Sequence, residues 1–412
     1  MSILIKSKEF FLDVVNKNIY TASLYLRRVA SAVIVFCLAR YLTVETYGLY
    51  SSYANIAGIL LLITNFGFNE YILVSSKSEV KQVRLKLSFF LLLANILVCL
   101  ILICSNFVPL YNKWIFSLVI IRSFLDGTFF VLILTYYQAS HKFNIISTIN
   151  IIYSISLILI VLFCYRYQLM LDIFLMMCIA IGLTNYIYSY ITAKLNFTMV
   201  IKHLKKYIKM IDKQLIYYGL VMVTVLLYYQ LPSLYVSVFI DKTSAAVYFA
   251  AFNIFSILLL ISSSQVQQIM PDMIRANNNE IKKLITKNIL YISIINIAIL
   301  IFFIFFGKWL LSLLYGKPEY QMSYQLLIIG AFGNLFMSAG GILACFMTAK
   351  GFQKKKFQYQ IECLFVVASL IFLLRDLGIT GAVCAYCLIS IYVFIRYLIF
   401  TLIQIKRINF EK

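Results

Sequence analysis

Four arginines stand inside apolar runs where a charge is costly: Arg27, Arg28, Arg122 and Arg396. Two carboxylates share such runs, Asp126 and Glu362. A charged side chain at the centre of a membrane helix costs about 2.5–3.5 kcal/mol on insertion scales. Residues of this kind therefore face a cavity or a partner. Arg27 and Arg28 are adjacent, and neighbours on a helix point about 100° apart, so lipid is a poor environment for both. Arg122 and Asp126 are four apart and share one helix face. One chemistry that fits is a cationic cavity, whose guanidinium forks would attract an anion. A plainer arrangement fits the same residues. Arg122 and Asp126 can neutralise each other, while Arg27, Arg28 and Arg396 can reach back to the headgroups.

Moving a proton through such a cavity requires a titratable group within it. The two histidines, His141 and His203, fall in loops. Asp126 is the better carboxylate candidate and Glu362 the second, although Arg122 beside Asp126 would hold it ionised. Pro232, flanked by Gln230 and Ser233, removes a backbone hydrogen bond from its helix. It can act as a hinge or as a static kink. The nine cysteines all lie in or beside apolar runs, and the Cys384–Cys387 pair has no histidine or further ligand near it. They read as small apolar filler rather than a metal or redox site.

The elements that carry these residues follow from composition. The 412 residues are 63% hydrophobic and 12% charged, against about half and a quarter in soluble domains. Apolar runs of about 20 residues recur along the whole chain, without the period-two alternation of a membrane barrel. They predict an all-α integral membrane protein with about twelve transmembrane helices. The expected spans are 19–39, 46–67, 86–106, 114–136, 144–164 and 171–192, then 215–237, 244–266, 288–307, 324–347, 358–375 and 379–404. The first is a retained span, because Arg27 and Arg28 interrupt it and no small-x-small cleavage site follows.

The net charge of +21 would suggest nucleic acid in a soluble chain. Here the basic residues alternate with the loops instead. With both termini cytoplasmic, 25 Lys and Arg fall in inside segments and 7 outside, as the positive-inside rule requires. The remaining four are the intramembrane arginines.

A basic loop from Lys194 to Lys213 divides the chain into two expected lobes of six spans, 1–200 and 201–412. The halves share a pattern. Tyr50, Asn55 and Ile59-Leu60-Leu61-Leu62-Ile63 recur 198 residues later as Tyr248, Asn253 and Ile257-Leu258-Leu259-Leu260-Ile261. Parallel repeats of this kind are a transporter plan. No catalytic constellation, P-loop or extended outside loop stands in the sequence, so a transporter rather than an enzyme is expected.

Four further stretches carry a resemblance. Arg40-Tyr41-Leu42-Thr43-Val44-Glu45-Thr46-Tyr47-Gly48-Leu49-Tyr50 resembles the R-x-L-x-x-x-x-Y-G-x-Y stretch after the first span of polysaccharide exporters. Asn65-Phe66-Gly67-Phe68 is similar to their second-helix ending. Leu313-Leu314-Tyr315-Gly316-Lys317-Pro318-Glu319-Tyr320 resembles their outside turn after span nine, and Gly378-Ile379-Thr380-Gly381-Ala382-Val383 the opening of their last span. The chain thus resembles the polysaccharide-transport branch of the MOP (multidrug/oligosaccharidyl-lipid/polysaccharide) exporters. It looks most like the Wzx-type O-antigen flippases.

That resemblance implies two six-helix lobes (MOP/MATE-like) around a cationic cavity in the bacterial inner membrane. It implies translocation of an undecaprenyl-diphosphate-linked oligosaccharide from the cytoplasmic to the periplasmic leaflet. Coupling to H+ or Na+ and no resident cofactor are expected. The implied partners are that lipid-linked sugar, membrane lipids and other O-antigen assembly proteins. The alternatives are a multidrug or lipid II exporter of the same fold, a membrane polymerase, or a scaffold. Few acidic residues in the spans argue against cationic drugs. A short outside stretch at Gly307–Ser323 argues against a polymerase. The related halves and intramembrane charges argue against a scaffold.

Overall fold

The computed structural model describes residues 19, 22–23, 26–65, 113–125, 143–193, 213–276 and 278–410. Among them there is no strand. The described helices are α1 (26–41), α2 (Val44–Asn65), α3 (Lys113–Phe124), α4 (Phe143–Tyr167), α5 (Leu171–Ala193) and α6 (Lys213–Phe239), followed by α7 (Lys242–Arg275), α8 (Asn278–Tyr315), α9 (Ser323–Ala349), α10 (Gln353–Leu373) and α11 (Gly378–Phe410). Seven of the described helices are long and apolar enough to cross a membrane. The expected third span, the second part of the fourth, Asp126, His141 and His203 lie outside the described residues.

The chain divides into two compact units. One is Met1–Leu42 with Ile56–Gly219; the other is Thr43–Asn55 with Leu220–Lys412. In the first unit, Ala30, Ile34 and Leu38 of α1 are buried at helical spacing, as are Ile146, Ile149, Tyr153 and Leu157 of α4.

The second unit also holds the beginning of α2, and the reason is local. An ideal Cβ on Gly48 would stand 1.7 Å from the carbonyl oxygen of Lys242 and 3.2 Å from Cβ of Ala246. Only glycine lets the two backbones approach this closely. Position 246 is also the counterpart of position 48 under the 198-residue offset, so two equivalent positions meet where α2 and α7 cross. Beside them, Tyr47 is fully buried. Its ring packs edge-on against Tyr315 (6.5 Å between centroids) and Tyr320 (5.9 Å), and its hydroxyl accepts from Asn253 Nδ2 at 3.1 Å. The first and third family-like stretches therefore touch each other, although they are far apart in sequence.

Helix ends follow ordinary rules. Asp241 caps α7 by accepting from the Ser244 N–H at 2.8 Å. Desolvation pushes the Asp241 carboxyl up, but hydrogen bonds from Ser244 and Thr243 outweigh it and hold the group below its ordinary value. α8 ends at Gly316, whose φ of +70° is the left-handed stop, and Pro318 then opens a short 3-10 turn.

Polar links tie the second unit together. Ser262 donates to Ser338 (2.6 Å), Gln265 to Asn288 (2.7 Å) and Thr224 to Gln360 (2.9 Å). Fully buried Asn334 donates to the Phe255 carbonyl and accepts from the Tyr386 hydroxyl, joining three helices. Asn334→Ala would remove the side-chain donor to the Phe255 carbonyl and the acceptor for the Tyr386 hydroxyl from a fully buried site. A loss of about 1–3 kcal/mol is expected, to be read from thermal unfolding of the detergent-solubilised protein against Asn334→Asp and wild type.

Candidate functional site

The intramembrane charges separate into two groups. In the first unit, α1 carries Arg27 and Arg28, and α3 carries Arg122. The Arg27 guanidinium carbon lies 5.7 Å from the centre of the buried Tyr153 ring on α4. One turn away on α4, Asn150 Nδ2 donates to Ser23, ahead of α1, at 3.4 Å. The Arg122 guanidinium carbon lies 5.1 Å from the Phe174 ring on α5. Stacking on a ring engages the flat face of a guanidinium and is worth about 0.5–2 kcal/mol. It holds the group in place while its N–H donors point along the edge. Arg28 is different. It is exposed, and it has no hydrogen bond, ion pair or ring contact among the described residues. Asp126, the partner expected for Arg122 from the fourth span, lies outside the described residues.

In the second unit Glu362 and Arg396, 34 residues apart in sequence, come together. Arg396 Nε donates to Glu362 Oε2 at 2.9 Å and Nη2 to Oε1 at 3.2 Å. The guanidinium carbon also lies 4.3 Å from the Tyr359 ring centre. The side chains remain 36% and 42% exposed. An anion approaching Arg396 must therefore compete with an internal carboxylate held by two parallel hydrogen bonds.

Pro232 lies within α6, which continues through it to Phe239. The proline gives no N–H to the helix, and a polar cluster surrounds the gap. Ser233 Oγ donates to the Gln230 carbonyl at 2.8 Å and lies 2.7 Å from its side-chain oxygen. Asn55 of α2 accepts from Ser233 at 3.2 Å and donates to Ser237 at 3.1 Å. Side-chain hydroxyls and amides of this kind make a proline tolerable within a membrane helix. In the sequence, Asn55 and Asn253 stand out only as marks of a repeat. Their equivalent offset was the available signal that both carry a polar link, Asn55 to α6 and Asn253 to Tyr47.

The chain thus combines long apolar helices, a sequence pattern repeated in its two halves, and arginines set beside aromatic rings within apolar helices. These describe a multi-pass membrane protein. The chain belongs to the polysaccharide biosynthesis protein family, which it matches over residues 15–276. Comparison with curated proteins gives no match. Among solved structures, the lipid II flippase MurJ in an inward closed conformation is similar, with a TM-score of 0.67 at 16% identity over 93% of this chain and 87% of that one. An inward-facing multidrug resistance MATE transporter of the MOP superfamily gives a TM-score of 0.63 at 12% identity, over 96% and 99%. A MOP superfamily transporter from Pyrococcus furiosus, described by the reverse polarity of its binding pocket, gives 0.63 at 12%, over 96% and 95%. The fold is thus that of the MOP transporters, in a multi-pass membrane protein.

Proposed function

We propose that this chain is a flippase that carries an undecaprenyl-diphosphate-linked oligosaccharide from the cytoplasmic to the periplasmic leaflet, for O-antigen or related surface polysaccharide synthesis. The observation that carries the reading is the family match over 15–276, which ties a MOP-type fold to polysaccharide assembly. The chemistry of the first unit supports it. A diphosphate with hydrophilic sugars does not cross about 30 Å of hydrocarbon unaided. Arg28, open and unpaired among the described residues, and Arg27 and Arg122, held on aromatic faces, would replace part of the hydration the diphosphate loses. The proposed setting is the bacterial inner membrane with both termini in the cytoplasm, in line with the 25-to-7 distribution of basic residues. Division of labour between lobes 1–200 and 201–412, and bending at Pro232, belong to the same proposal. For H+ or Na+ coupling, Asp126 and Glu362 are the carboxylate candidates, and Glu362 already holds Arg396 in an ion pair.

Deletion of the gene product followed by analysis of lipid-linked sugars is the decisive test. Loss of long surface chains with repeat units accumulating on the cytoplasmic side is expected. Accumulation on the periplasmic side would indicate a polymerase and sink the flippase reading. In complementation, Arg28→Ala and Arg122→Ala are each expected to reduce surface polysaccharide about tenfold or more at unchanged membrane level, since one charge-assisted contact is worth roughly 1.5–3 kcal/mol. Normal polysaccharide from both variants would remove these arginines from the substrate path.

A further inference from the structure

The last turn of α7 and the first turns of α8 enclose a cleft of about 380 Å³, within the range of small-ligand sites. Its charged lining comprises Asp272, Arg275, Glu280, Lys283 and Lys287, all exposed. The side chains of Asp272, Arg275, Lys283 and Lys287 make no hydrogen bond or ion pair among the described residues. The final carbonyls of α7 do not draw these cations in. Lys350 Nζ already lies 3.5 Å from the Ile274 carbonyl and 3.1 Å from that of Ala276.

The cleft has an apolar continuation. Along α8, Leu290, Ile294 and Ile301 are exposed at 60%, 59% and 49%. Their spacing from Lys283 keeps them within about 40° of its direction around the helix. α8 has 38 residues and is about 57 Å long, roughly twice the hydrocarbon thickness. Only 17% of its most apolar window is buried within the protein. Its first turns therefore lie at headgroup level, while the stripe below them faces acyl chains.

An occupant must satisfy both ends and both signs of charge. A phosphate suits Arg275, Lys283 and Lys287, helped by the positive end of α8. A primary ammonium suits Asp272. A purely anionic headgroup would set its charge against Asp272 and Glu280, and a headgroup without phosphate would leave the surplus of cations over carboxylates unmatched. We propose that this cleft seats an aminophospholipid of the bilayer, with its phosphate on Arg275, Lys283 and Lys287, its ammonium on Asp272 and its chains along Leu290, Ile294 and Ile301. The site does not depend on what the protein transports.

The test is native mass spectrometry of the full chain in detergent, with dioleoyl phosphatidylethanolamine or dioleoyl phosphatidylglycerol at equal concentration. Phosphatidylethanolamine is expected to bind the tighter of the two. Lys283→Ala/Lys287→Ala should weaken it at least tenfold, since each basic residue near a membrane surface contributes about fivefold. Asp272→Asn should abolish the preference for phosphatidylethanolamine over phosphatidylglycerol. Lys354→Ala/Lys355→Ala, in a neighbouring basic turn, should leave both lipids unchanged. All the substituted side chains are exposed, and thermal unfolding of each variant checks that the fold is intact. Equal binding of the two lipids by the wild type would overturn the proposal. So would wild-type binding by the double lysine variant, or an intact preference in Asp272→Asn.

Discussion

Gly48→Ala is expected to destabilise the protein strongly, while Gly58→Ala ten residues further along the same helix is expected to stabilise it. The added methyl at position 48 would overlap a backbone oxygen at 1.7 Å, and the second neighbour, Ala246 Cβ, is itself only 3.2 Å away. A flexible side chain could swing aside; a carbonyl at the start of α7 cannot. The two helices must part by more than an ångström, which strains the Tyr47–Tyr315–Tyr320 packing and the Asn253 hydrogen bond to Tyr47. The cost is expected at or above the upper end of the roughly 1–3 kcal/mol usual for overpacking. A Cβ on Gly58 meets nothing within 4 Å. Alanine there should gain about 0.5–1 kcal/mol from the reduced freedom of the unfolded chain. Thermal unfolding of the two purified variants should shift in opposite directions. A Gly48→Ala protein that melts with the wild type would refute the close crossing of α2 and α7.

Arg396→Ala should cost about 1–3 kcal/mol, after discounting a buried pair's loss for partial exposure. It would leave the Glu362 carboxylate without its partner in the middle of α10, and the stacking on Tyr359 would be lost with it. Glu362→Gln/Arg396→Gln is expected to recover most of that loss, because two neutral side chains can still hydrogen-bond without a stranded charge. A double-mutant cycle on unfolding midpoints should give a coupling of about 1 kcal/mol or more. Strict additivity would mean that the pair contributes nothing.

The sequence located most helices to within a few residues, because apolar runs of membrane length are an unusually direct signal. It also placed Pro232 inside α6 and found both family-like stretches around Tyr47 and Tyr315. Their meeting was not legible, since it depends on how α2, α7 and α8 cross. Glycine at 48 reports that crossing only once Lys242 and Ala246 are known to face it. The Glu362–Arg396 pair was within reach. Opposite charges on consecutive antiparallel spans, in the same half of the membrane, should have suggested it. Reading each charge as a separate anomaly concealed the link. The aromatic positioning of Arg27 and Arg122 was not available from spacing at all, because Tyr153 and Phe174 lie on other helices.

The Glu362–Arg396 pair has an electrical consequence. A lone charge displaced across the full membrane potential exchanges about 2.3 kcal/mol per 100 mV with the field. A salt-bridged pair moving as one body carries no net charge along that axis. Whatever stroke this pair makes is therefore blind to voltage, and voltage dependence in the cycle is left to the substrate, a coupling ion, or charges outside the pair, Arg27, Arg28 and Arg122 among them.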